Sequence, residues 1–188
     1  MSRRHFLSLC AAAVTAALLA GPAPADAADR RPSFQLTDQD GRPVTEADFR
    51  GRHVLVYFGY TFCPDACPID LSTMAAALDA LAPEGDAVLG LFVSVDPGRD
   101  TPATLREYVS AFHPRLRGAT GEPAELQRTA QQFGAKFKLS EPDADGAYLV
   151  SHTTTINLLG PDGIVLARFR DAEPQTIADA VRRSMTTH

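Results

Sequence analysis

Between Val54 and Pro68 the chain passes from an unbroken apolar run, Val54-Leu55-Val56-Tyr57-Phe58, into Gly59-Tyr60-Thr61-Phe62-Cys63-Pro64-Asp65-Ala66-Cys67-Pro68. The run is β-branched and aromatic without a polar break, the pattern of a strand buried on both faces. Pro68 suits the first turn of a helix, where its missing N–H is not needed. Cys67 is therefore expected at the helix cap and Cys63 on the loop before it. Both sulfurs would lie near the positive end of the helix dipole, which favours thiolate over thiol.

The remaining punctuation extends this strand–loop–helix unit into a layered domain. Val88 through Val95 is a second continuous apolar run, closed by Asp96-Pro97-Gly98. Leu71, Met74, Leu78 and Leu81 recur at helical steps up to Pro83. Thr101-Pro102 is an N-cap and first-turn pair, followed by Leu105, Tyr108, Val109 and Phe112 on one face, with Pro114 beyond. Pro123, Leu126, Ala130 and Phe133 predict a third helix ended by Gly134. Phe34 and Leu36 alternate with polar residues before an Asp38-Gln39-Asp40-Gly41 turn. Thr154–Leu159 and Ile164–Phe169 read as a hairpin around Gly160-Pro161-Asp162-Gly163, and a last helix runs from about Pro174 to Met185. Strands alternating with helices, then a hairpin and a closing helix, describe an α/β sheet with helices on both faces.

Export follows from the N-terminus. Arg3 and Arg4 precede an apolar run, Phe6 to Ala20, then Gly21-Pro22 and a small-residue site at Ala25-Asp26-Ala27. About 15 apolar residues fall short of the roughly 20 that span a bilayer, so residues 1–27 read as a cleaved signal peptide and 28–188 as one domain. The alternative is an uncleaved membrane anchor. Ser2-Arg3-Arg4-His5-Phe6-Leu7 also resembles a twin-arginine signal. Removing Arg3, Arg4 and Asp26 leaves 16 basic and 22 acidic residues, a net −6. A mildly acidic chain without a basic run argues against nucleic acid as a partner. A soluble monomer is expected.

Of three cysteines, Cys10 leaves with the leader, and a domain of this size does not need a disulfide to fold. Cys63 and Cys67 are then a working pair: a redox disulfide, a soft-metal site, or both. Dithiol oxidoreductases usually separate their cysteines by two residues. The wider gap here, Pro64-Asp65-Ala66, leaves room for an ion, and paired thiolates select Cu(I) over hard cations. Two sulfurs make an incomplete site. His53, His113 and His188 read as structural or solvated. His152, in Ser151-His152-Thr153-Thr154-Thr155 before the penultimate strand, is left by spacing alone between a third ligand and a strand-entry residue. Asp96 and Asp100 read as turn and cap residues.

The stretch from Tyr57 to Pro68, Ser94-Val95-Asp96-Pro97-Gly98-Arg99-Asp100-Thr101-Pro102, and His152-Thr153-Thr154 together closely resemble the Sco (SenC) family over roughly residues 32–185. The resemblance implies a thioredoxin-like fold with a central mixed sheet. It implies a protein of the periplasm or mitochondrial intermembrane space that delivers copper to the CuA site of cytochrome c oxidase. It also implies Cys63, Cys67 and His152 as ligands of one copper ion, Cu(I) or Cu(II), with the cysteines able to close as a disulfide. Expected partners are the copper-receiving oxidase subunit and other periplasmic copper chaperones or thiol reductants. Ser151 stands where the family usually has an acidic residue, and Gly98 where it usually has Glu. A metal-binding imidazole needs an acceptor for its other N–H, so position 151 bears on how His152 is held. The alternative function is a thiol–disulfide oxidoreductase acting through a mixed disulfide on the oxidase subunit or another exported target. Thr61-Phe62-Cys63-Pro64 superficially resembles a peroxiredoxin-type thiol peroxidase. That family sets the threonine three residues before its cysteine and a proline four before the threonine, whereas Thr61 is two before Cys63 and position 57 is Tyr.

Overall fold

The computed structural model describes residues 31–186; the expected leader at 1–27, with Cys10, and His188 lie outside the described residues. The elements in chain order are β1 (Gln35–Asp38), β2 (Pro43–Thr45), β3 (His53–Gly59), α1 (Ala66–Ala80), β4 (Val88–Ser94), α2 (Pro102–Ser110), β5 (Leu116–Thr120), α3 (Pro123–Gln132), β6 (Phe137–Leu139), β7 (Val150–His152), β8 (Ile156–Leu159), β9 (Val165–Phe169) and α4 (Pro174–Met185). One sheet runs β2-β1-β5-β4-β3-β8-β9, and β6 and β7 form a separate pair. β3, β4 and β5 are parallel, and the flanking strands are antiparallel. This is the expected mixed sheet.

The apolar runs fill its centre. Every residue of β3 and β4 is buried, in a register that sets Tyr57 beside Phe92 and Gly59 beside Ser94. Parallel neighbours need a crossover, supplied by α1 between β3 and β4 and by α2 between β4 and β5. Right-handed crossovers running in one direction place both helices on the same face. The packing agrees: a side chain at Gly90 would meet Met74 and Leu78 of α1, and one at Gly118 would meet Leu105 and Val109 of α2. α4 packs against α1. On the opposite face Phe58 lies 5.3 Å, centroid to centroid, from Phe133 at the end of α3.

The structure differs from the sequence reading in several elements, among them β2 (Pro43–Thr45), which was not expected. α1 begins at Ala66, not Pro68, so Cys67 sits inside the first turn. β5 was not expected, because Arg117 and Gly118 interrupt its apolar pattern. The strand expected over Thr154–Leu159 is shorter, beginning at Ile156, and Val150–His152 pairs with Phe137–Leu139 instead. The last strand begins at Val165 rather than Ile164.

His53 and His113 take the structural places expected of them. His53 is buried at the start of β3. The His113 ring accepts from the Arg115 amide on Nδ1 at 2.9 Å and places Nε2 3.3 Å from Asp79.

Phe133→Ala empties the contact that joins α3 to the centre of the sheet. The expected cost is about 3–5 kcal/mol, read as a lower urea midpoint with an unchanged denaturant slope. A shift within 1 kcal/mol would show that this face packs differently.

Candidate metal centre

The cluster forms where β3 and β4 end, at the carboxyl edge of the parallel strands. The amide of Val95 donates to the Gly59 carbonyl at 2.9 Å, and that of Cys63 to the Tyr60 carbonyl at 3.2 Å, so the chain turns sharply off the strand. Asp100 pins this turn. Its buried carboxylate accepts from the Thr61 amide at 2.9 Å, the Thr61 hydroxyl at 2.6 Å and the Ser94 hydroxyl at 2.5 Å. Asp96, equally buried, accepts from Arg99 at 2.5 Å and from the Tyr148 hydroxyl at 2.7 Å. Both aspartates therefore hold loops, as expected, and neither faces the thiols.

α1 then directs Cys67 back onto the strand. A Cβ at Gly59 would lie 2.6 Å from the Cys67 Sγ and 2.9 Å from Phe92, so the thiol occupies the space that glycine leaves. Cys67 is wholly buried, whereas Cys63 on the loop is half-buried. The Cys67 amide points at the Cys63 Sγ, 3.5 Å away.

β7 supplies the third group. His152 Nε2 lies 3.3 Å from the Cys67 Sγ and 3.8 Å from the Cys63 Sγ. The three ligand atoms are within 4.8 Å of one another. Bonds of about 2.0–2.3 Å to one ion would set such atoms roughly 3.5–4 Å apart, so the cluster is close to the span that an ion requires. Two sulfurs and an imidazole are a soft donor set suited to Cu(I). Tyr57 and Tyr60 hold the ring edge-on from two sides, at centroid distances of 6.0 and 5.8 Å. Its Nδ1 faces the Thr153 carbonyl at 3.4 Å, while the Ser151 hydroxyl turns away to the Lys138 carbonyl. The backbone thus provides the acceptor, and the residue at 151 does not.

Burial governs the electrostatics and corrects the dipole argument for Cys67. Desolvation pushes its thiol far above the ordinary value, outweighing the amide that favours the thiolate. Burial also lowers the His152 imidazole, opposed by the Thr153 carbonyl and the negative charge of Asp70. The Tyr57 hydroxyl, 4.0 Å from the Cys67 Sγ, is raised by the same desolvation. Burial thus disfavours the charged form of both Cys67 and His152. A bound cation reverses the preference, because a coordinating thiol gives up its proton.

The sequence reading missed Gly59, Tyr57, Tyr60, Arg99 and Tyr148. The one available signal was that three of the chain's four tyrosines sit in or beside the cysteine and histidine segments.

A thioredoxin-like domain with a Cys–Cys–His cluster at the start of its first crossover helix is what fold and site together define. The family model described as SCO1/SenC matches residues 22–186, and the chain belongs to that family. It is 41% identical over 157 residues to the mitochondrial SCO2 homologue of Bos taurus, covering 81% of this chain but only 58% of that protein. Among solved structures, Arabidopsis thaliana ScoI with copper bound superposes with a TM-score of 0.77 at 34% identity, over 85% of this chain and 99% of that one. Bradyrhizobium japonicum ScoI with copper bound gives 0.75 at 39% identity, over 82% and 98%.

The raised thiol predicts slow alkylation. With Cys63 changed to Ser, Cys67 should react with iodoacetamide at least about tenfold more slowly at pH 7 than Cys63 does in Cys67→Ser. Its rate should still be climbing above pH 9, since only the thiolate attacks and a raised pKa leaves less of it. Mass spectrometry of timed samples reads both; a plateau below pH 8 would mean that the dipole outweighs burial.

Proposed function

We propose that this chain is an exported copper-binding protein of cytochrome c oxidase assembly, holding one ion between Cys63, Cys67 and His152. The observation that carries this reading is the convergence of two sulfurs and an imidazole from separate segments within 4.8 Å. The copper-bound relatives support it. Residues 1–27 serve as the signal peptide, and 28–188 act in the periplasm as a monomer. No helix among the described residues is long and apolar enough to cross a membrane. The receiving site is the CuA centre of the oxidase subunit, and transfer proceeds by stepwise exchange of thiolate ligands without substrate turnover.

A second reading rests on the asymmetry of the pair. Cys63 is partly exposed and Cys67 buried beneath it, the arrangement of an attacking and a resolving thiol. As a reductase, Cys63 would attack a target disulfide to form a mixed disulfide, and Cys67 would release the target as a dithiol. The pair supplies two electrons and ends as Cys63–Cys67.

Copper titration of the reduced mature protein separates the ligands. Loading of about one ion per chain is expected. Cys63→Ser and Cys67→Ser should each lose about 100-fold or more in Cu(I) affinity by chelator competition. His152→Ala should weaken Cu(II) binding yet still form the disulfide. Unchanged copper binding in both cysteine variants would overturn the copper reading and leave the reductase.

Oxidation and loading should exclude each other, because a disulfide consumes both sulfur ligands. Oxidised and reduced protein incubated with Cu(I) and desalted should retain nearly none and about one ion respectively. Equal retention would remove the cysteines as ligands.

A further inference from the structure

His152 is carried by an element with little backbone support. β6 and β7 pair only with each other among the described residues, from Phe137–His152 to Leu139–Val150, and no ladder joins them to the seven-stranded sheet. An isolated two-stranded hairpin is marginal in water, so the position of the imidazole over the cysteines depends on side-chain contacts.

One side chain reaches all the loops involved. Arg99 belongs to the turn after β4. Its Nε donates to the Asp96 carboxylate at 2.5 Å and its Nη1 to the Tyr148 carbonyl at 3.2 Å. The guanidinium carbon lies 3.9 Å from the centroid of the Tyr148 ring, 5.5 Å from that of Tyr60 and 5.2 Å from that of Phe62. Tyr148 returns to the same anchor by donating its hydroxyl to Asp96 at 2.7 Å. Tyr148 leads into β7, and Tyr60 and Phe62 precede Cys63 on the cysteine loop. Tyr60 is also one of the two rings set edge-on to His152. Asp96 is 1% exposed and the Arg99 side chain 25%, so the ion pair is shielded from water and salt. Arg99 Nη2 is buried without a hydrogen-bond acceptor; the surrounding aromatic faces are what that edge of the cation meets. Such a role needs a flat cation that forks and stacks at once, which lysine cannot reproduce.

We propose that Arg99 is a positioning residue, clamping the His152 hairpin to the cysteine loop and thereby setting how long copper stays bound. The proposal rests on the copper reading above and deepens it. The clamp holds the third ligand in place while leaving the two sulfurs untouched. Losing it should therefore resemble a partial loss of His152 rather than a loss of the dithiol.

The test compares the wild-type chain with Arg99→Ala, Arg99→Lys and Tyr148→Phe. Arg182→Gln, which cuts an ion pair with Glu84 remote from the site, serves as a control for general destabilisation. Three quantities are read: the rate of Cu(I) loss to bathocuproine disulfonate, the EPR spectrum of the Cu(II) form, and hydrogen exchange of residues 137–152 without copper. Arg99→Ala should release copper about tenfold faster or more, shift its EPR spectrum toward that of His152→Ala, and exchange faster in 137–152 alone. Arg99→Lys should not restore the wild-type values, and Tyr148→Phe should fall between. Wild-type release, spectrum and exchange in Arg99→Ala would overturn the clamp, as would changes matched by Arg182→Gln at equal stability. If the wild-type chain takes up no copper, the copper reading falls by itself, and exchange of 137–152 still decides whether Arg99 holds the hairpin.

Discussion

The site hangs on a buried carboxylate. Asp100 takes three hydrogen bonds, two from Thr61 and one from Ser94, and so joins the loop leaving β3 to the end of β4. A carboxylate without solvent is costly unless its oxygens are satisfied, and here the groups that satisfy it belong to the two central strands' exits. This pairing sets where the cysteine loop starts. From that start the chain has room for only a short turn before α1, and α1 returns Cys67 to the space above Gly59. The open sheet makes this edge available, since clefts in α/β folds form at the carboxyl ends of parallel strands.

The same burial that builds the cluster explains its chemistry. A pocket walled by Tyr57, Phe92 and the wholly buried Cys67 disfavours charge, which raises the thiol and lowers the imidazole. A monovalent soft cation changes that balance, since it replaces a proton on sulfur and leaves the net charge of that step unchanged. Asp96 and Asp100 are committed to loop contacts, so Asp70, hydrogen-bonded to Tyr57, is the carboxylate whose charge reaches His152.

Much of this was legible in the chain because its informative parts are long or local. β3 and β4 are seven residues each, buried throughout and dominated by aliphatic and aromatic side chains, and the helices carry proline starts and regular spacing. β5 was lost because Arg117 and Gly118 break its pattern, and Gly118 is there to admit Leu105 and Val109. β6 and β7 span three residues each, too few for alternation to register. His152 was left open by spacing for the same reason: it lies on a hairpin whose strands pair across Phe137 and His152, and the turn that carries Asp96 and Arg99 reaches that hairpin only through Tyr148, about fifty residues away in sequence. The misreading of Cys67 came from weighing the helix dipole, which sequence shows, against desolvation, which only the packing beneath Gly59 reveals.

Cys63 and Cys67 differ in residue exposure, and on the copper-delivery proposal that difference would give ligand exchange a direction. Cys63 stands half-buried on a loop beside Phe62, which is 62% exposed. Cys67 and the edge of His152 lie beneath, enclosed by Tyr57 and Tyr60. If the chain hands on an ion as proposed, an incoming thiolate would approach from the loop that carries Cys63. Cys67 and His152 would then keep hold while the newcomer attaches. Burial raises the Cys67 thiol, so its protonated form is favoured when no cation is bound. On that proposal, deep placement of Cys67 would serve both retention and release, enclosing the ion while it is bound and favouring the protonated thiol once it has left.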